Sequence, residues 1–141
     1  MNKTAAAVEI NRLSESRDLD ACLGYLSLVN GIDGALLYSR EGLVVAAGGN
    51  TLESLHLEAP YLLANFCDSL EHCREVGLGR LSHQVTFSEL RFHEVINLEK
   101  SGRFFLVVTG TRGSYELFRV RIDRGAQAIV QLLHERGYLR G

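Results

Sequence analysis

Two cysteines and a histidine stand close together in CDSLEHC, Cys67 to Cys73. Thiolates and imidazoles bind zinc, but the ligands must converge on one point at about 2.3 Å. On a helix, at about 100° per residue, Cys67 and Cys73 project about 120° apart, and His72 about 140° from Cys67. That geometry suits small apolar residues of a core or interface better than metal ligands. A second string, VVTGTRGSYE (Val107 to Glu116), leads a strand through Gly110, Arg112 and Gly113 into a helix start. Free amides at such a start can hold an anion. A tight turn that needs glycine explains Gly110 to Ser114 better, because the motif is weak. A third, FHE, puts His93 and Glu94 on opposite faces of a strand, so they cannot cooperate. The five histidines, His56, His72, His83, His93 and His134, show no close carboxylate pattern and read as surface or edge positions. There is no P-loop and no GxSxG elbow. The expectation is a protein without its own catalytic residues, cofactor or metal.

The elements that would position these residues follow from periodicity. Leu19, Cys22, Leu23, Leu26 and Val29 recur at three and four, which is an amphipathic helix. Ser16 or Asp18 caps its start, and Asn30 with Gly31 ends it. GIDGALLYSREGLVVAAGG then reads as a hairpin whose strands, Ala35 to Tyr38 and Leu43 to Ala47, lack a polar face. A second helix starts at Asn50, with Glu53 placed for a capping box, and runs to Gly77. Pro60 should kink it or begin its main body. Leu81, His83, Val85 and Phe87 alternate with polar residues, as an edge strand does. RFHEVINLE is less regular and suggests a bulge; RFFLVVTG is apolar throughout. Residues 114–137 read as a final helix, with Ser114 as cap and Gly137 at its end.

Strands that are apolar on both faces must be sandwiched. The expected fold is α/β: one five-stranded antiparallel sheet between helices, in the order α-β-β-α-β-β-β-α. The long second helix should cover one face and the outer helices the other. Residues 1–17 read as an arm or short extra helix, and 18–141 as one domain.

The totals agree. The chain has 141 residues, 46% hydrophobic and 23% charged, with one proline and no low-complexity linker. A net charge of −2 without a basic stripe argues against nucleic acid as the main partner. No stretch is long and apolar enough for membrane insertion, and the N-terminus lacks a signal-peptide core. Three cysteines make no disulfide framework. A cytoplasmic protein is expected.

The element order, the hairpin string with Gly31, Gly34, Glu41 and Gly42, and the long helix ending in GLG resemble the Roadblock (dynein light-chain) family. ELFRVRIDRGAQAIVQLL resembles the last helix of its bacterial branch, which includes the GTPase-activating protein of a Ras-like polarity switch. The resemblance covers about residues 18–137, and its motifs are those of a fold rather than a site. It implies a homodimer built on the second helix and the third strand. The interface residues would be Leu62, Phe66, Ser69, Cys73, Leu81, His83 and Val85. It implies a non-catalytic platform that engages and regulates a small Ras-like GTPase, up to stimulating GTP hydrolysis without an arginine finger. Partner-binding candidates are the polar positions of the second helix: Glu53, His56, Asn65, Asp68, Glu71 and His72. A small-molecule-sensing or scaffold module of PAS, GAF or profilin-like type is the alternative. An internal pocket beside the sheet with converging polar groups would favour that reading.

Overall fold

The apolar hairpin pairs as its sequence requires, and helices cover both of its sides. A computed structural model of the chain describes residues 17–27, 31–49, 52–99 and 102–138. The arm and the capping roles of Ser16, Asn30 and Asn50 lie outside those residues. Strands β1 (Ile32–Ser39) and β2 (Val44–Gly49) join through a turn in which Gly42 takes φ +86°. Helix α1 (Arg17–Leu26) precedes them and helix α2 (Leu52–Glu75) follows. Then come β3 (His83–Phe87), β4 (Arg91–Asn97), β5 (Phe104–Thr111), a 3₁₀ turn (Arg112–Ser114) and helix α3 (Tyr115–Glu135). The sheet order is β2-β1-β5-β4-β3, with every ladder antiparallel. This is the sandwich expected, and β3 is an edge.

Each face has its own core. Leu19, Leu23 and Leu26 of α1 and Ile122, Ile129 and Leu133 of α3 pack on Ala35, Leu37, Leu106 and Val108. The two helices approach closely because Gly125 has no side chain; a Cβ there would sit 2.5 Å from Leu26 Cδ2. On the other face Leu55, Ala59 and Phe66 of α2 pack on Leu36, Tyr38, Val95, Phe105 and Val107. Alternate side chains of one strand thus enter different cores, which is why no polar face survives.

Four expectations are corrected. RFHEVINLE holds no bulge: β4 keeps a regular register with β3 and with β5. Its pattern looked irregular because Glu94 and Asn97 occupy buried positions. The bulges lie in β1 instead, at Leu37/Tyr38 and Ile32/Gly34. α2 runs through Pro60 as one helix, so Pro60 does not begin its main body. The alternating stretch from Leu81 condenses to five strand residues, because Leu81 and Ser82 precede the ladder. Ser114 does not cap α3; its hydroxyl lies 2.6 Å from Thr111 Oγ1.

Candidate functional site

β3 pairs with β4 on one side, and no described strand pairs with its other side. A bare row of backbone donors and acceptors invites another strand. The flank of α2 nearest this edge is fixed by contacts. Gln84 Nε2 donates to Ser69 Oγ at 3.0 Å, tying β3 to α2. Glu58 Oε2 lies 3.6 Å from His93 Nε2 on β4. Next around the helix from Glu58 and Ser69 comes Tyr61, 80% exposed; Leu57, 72% exposed, projects about 180° from Phe66, away from the sheet. Large apolar side chains so bare mark an interaction surface.

The predicted interface residues divide. Leu62, Ser69 and Cys73 are half-buried on α2. Phe66 is a correction: it is wholly buried within one chain, edge-on to Phe105 with ring centroids 5.8 Å apart. It anchors α2 to the sheet and offers no surface to a partner. Leu81 belongs with the α2-side core, whereas Val85 packs towards the α1/α3 side. His83 is exposed on the edge strand. The seven residues therefore do not form one face. Leu57 and Tyr61, bare on the outer side of α2, were missed. The available signal was two large apolar residues out of phase with the helix stripe.

The polar set also divides. Glu53, His56, Asn65, Asp68, Glu71 and His72 are all exposed. At about 100° per residue, however, Asn65 points about 180° from His56. Asn65, Asp68 and His72 share the flank of Leu57 and Tyr61; Glu53, His56 and Glu71 lie on the other.

The remaining candidates resolve into structure. Thr111 N–H donates to Gly31 O at 2.8 Å and Arg112 N–H to Leu90 O at 2.9 Å, so these amides are not free for an anion. Gly110 is required because a Cβ would meet the Gly31 carbonyl and Phe92. Cys67 is exposed and Cys73 half-buried on different sides of α2; among the described residues no three His, Cys, Asp or Glu gather as a metal site. His93 and Glu94 do face opposite ways. His93 is not a surface histidine, though: its Nδ1 is buried without a partner, and burial holds its pKa below the usual value despite Glu58. Glu94, 3% exposed beneath α3, accepts from Tyr115 Oη at 3.3 Å. Burial, then the charge of Asp123, push it up to about 7 against the pull of Tyr115 and Arg119. Tyr115 is pushed up to about 12, first by its own burial and then by Glu94.

No family model and no curated protein matches the sequence. Solved structures do match the fold. MglB of Myxococcus xanthus superposes with a TM-score of 0.74 at 16% identity, over 86% of this chain and 98% of that one. A Roadblock/LC7 domain from Streptomyces avermitilis gives 0.71 at 18% identity, over 83% and 98%. The gliding protein MglB of Thermus thermophilus gives 0.63 at 18% identity, over 93% and 90%. The chain has the Roadblock/LC7 fold. At these identities the likeness carries architecture and not residues. No described helix of this Roadblock/LC7 fold is long and apolar enough to cross a membrane.

Proposed function

We propose that the chain is a non-catalytic homodimeric platform that engages and regulates a small Ras-like GTPase. The observation that carries the assembly is the bare β3 edge, with exposed Tyr61 on the flank of α2 that Ser69 and Glu58 turn towards it and exposed Leu57 on the outer side of that helix. A two-fold axis through that edge pairs β3 with its copy and sets two α2 helices side by side, the self-complementary contact of a symmetric dimer. Asn65, Asp68 and His72 then belong to the seam. Glu53, His56 and Glu71 remain on the outward flank, two copies of which offer an acidic rim that steers a partner through its on-rate. The GTPase comes from the family resemblance, supported by the fold shared with the two MglB structures. Such a platform would act by holding the switch segments of the GTPase in place.

Sedimentation velocity tests both parts. The free protein at micromolar concentration should run at twice the chain mass. Leu57→Asp with Tyr61→Asp should run as a folded monomer, since both side chains are exposed in one chain. Adding GTP-loaded Ras-like GTPases of the same organism should give a heavier species with one of them. A wild-type monomer refutes the assembly. A dimer that captures no GTPase in either nucleotide state refutes the partner.

A further inference from the structure

The other flank of α2 faces a groove. Two cavities lie between this flank and the sheet, of 260 and 200 Å³. Pro60, Leu63, Ala64 and Cys67 line the first; Cys67, Leu70, Glu71 and Arg74 line the second. Those positions recur at three and four, so they form one stripe about 21 Å long at about 1.5 Å per residue. Arg40, Cys67 and Phe105 border both cavities, so the two adjoin along one groove of α2. Together they fall within the roughly 300–1,000 Å³ of small-molecule sites.

The ends differ in chemistry. The first is walled by Tyr38, Pro60, Leu63, Ala64 and Phe105, a mainly apolar lining. The second brings Arg40 from the hairpin turn, Arg74 from the end of α2 and Arg80 from the loop before β3 to one cavity. Glu71, 3.6 Å from Arg74, is the carboxylate lining that end. Three guanidiniums against one carboxylate leave a cationic end, and guanidiniums suit oxyanions by their forked donors. A second observation is independent of charge. Asn97, 6% exposed, lines the same end and leaves its buried Oδ1 without a hydrogen-bond partner. A buried amide left unpaired is costly, and rotating it by 180° exchanges Oδ1 for the Nδ2 donor. Either the hydroxyl of a protonated head or an anionic oxygen would satisfy it.

We propose that this groove binds a small amphiphilic anion, with an oxyanion head at Arg40, Arg74 and Arg80 and an apolar tail along Tyr38, Leu63 and Phe105. The apolar end of the groove lies on the α2 flank towards β1, away from β3, and stays open in the proposed dimer. Binding can be measured without any GTPase and does not depend on that reading.

Cys67 is exposed at the join of the two ends and reports occupancy. Maleimide labelling of Cys67 is followed by peptide mass spectrometry, with Cys73 and Cys22 as internal references. Decanoate and decyl phosphate carry both parts; inorganic phosphate carries only a head and decanol only a tail. Decanoate or decyl phosphate at about 1 mM, a concentration that fills sites of only modest affinity, should slow labelling of Cys67 and leave the reference cysteines unchanged. Arg40→Ala with Arg80→Ala should weaken this protection by about tenfold or more, as loss of charged hydrogen bonds does. Circular dichroism of that variant should match wild type, since both side chains are exposed. No protection by either amphiphile, or equal protection of the arginine variant, overturns the site. Equal protection by inorganic phosphate overturns the tail, and equal protection by decanol overturns the head.

Discussion

Glu94→Gln tests whether the buried carboxylate beneath α3 costs the fold stability, and where in pH. Glu94 faces the α3 side of the sheet, between Val85 and Val108 across the ladders, with Tyr115 Oη at 3.3 Å and Asp123 and Arg119 near. Burial is the main reason its pKa rises from 4.5 to about 7. Below pH 4.5 the carboxyl is protonated in folded and unfolded chains alike, and it costs nothing. Between 4.5 and about 7 the unfolded chain releases its proton while the folded chain keeps it, so stability falls as pH rises. Above pH 7 the whole cost is present, about 3 kcal/mol at about 1.36 kcal/mol per pH unit. His93 works in the opposite sense, since its lowered pKa makes stability rise with pH as it deprotonates. Wild type alone would mix the two; the difference between wild type and Glu94→Gln isolates Glu94. Urea unfolding followed by circular dichroism, at one protein concentration and at pH 5, 6, 7 and 8, gives that difference. Glutamine keeps an acceptor for Tyr115 and carries no charge. The gain of the variant on wild type should grow from pH 5 to pH 7 and level off by pH 8, reaching about 3 kcal/mol in all relative to acid pH. Parallel pH curves for the two proteins would show that Glu94 titrates alike in both states, and the reasoning from burial would be wrong.

Two further outcomes separate packing from surface. Phe66→Ala should lower stability by about 3–5 kcal/mol, the usual cost of a large buried ring, with a lower urea midpoint; a loss under about 1 kcal/mol would contradict its place in the core. Gly110→Ala should give little folded protein, because its Cβ would meet the Gly31 carbonyl, while Gly113→Ala, with open space around it, should stay within about 0.5 kcal/mol of wild type by thermal melting.

The sheet was legible because its strands are unusual. Leu36 and Leu37 are both buried, one in each core, and only a sheet covered on both faces allows that. The β3 edge was legible for the opposite reason: its alternation leaves His83, Thr86 and Phe87 exposed. The candidate site was read less well. Phe66 and Leu62 share a helical stripe, and periodicity cannot say which of them meets the sheet and which is left half-bare. That depends on how α2 is rotated on the sheet, which Phe105 and Phe66 decide through their ring contact. Leu57 and Tyr61 were passed over because an apolar residue outside the stripe looks like noise until the neighbouring strand edge is known to be bare. Asn97 was invisible for a related reason. A single polar residue in RFHEVINLE reads as irregularity, and only its unpaired Oδ1 shows that the position is polar by need.

α2 thus carries different chemistry on its two exposed flanks, and Pro60 to Arg74 shows how one helix can do so. The face buried on the sheet is narrow, held by Leu55, Ala59 and Phe66. A narrow anchor leaves most of the circumference of the helix free. The outer side and the flank towards β3 present Leu57 and Tyr61, suited to a copy of the same surface; the side towards β1 presents Pro60, Leu63 and Cys67 over a groove with a cationic end. The two flanks share the Phe66 anchor but no side chain. A change at Arg40 or Arg80 should therefore leave assembly alone, and a change at Leu57 or Tyr61 should leave protection of Cys67 alone. Measured in one series, these two separations would show whether the flanks act independently, since coupling through a shift of α2 would move both readouts together.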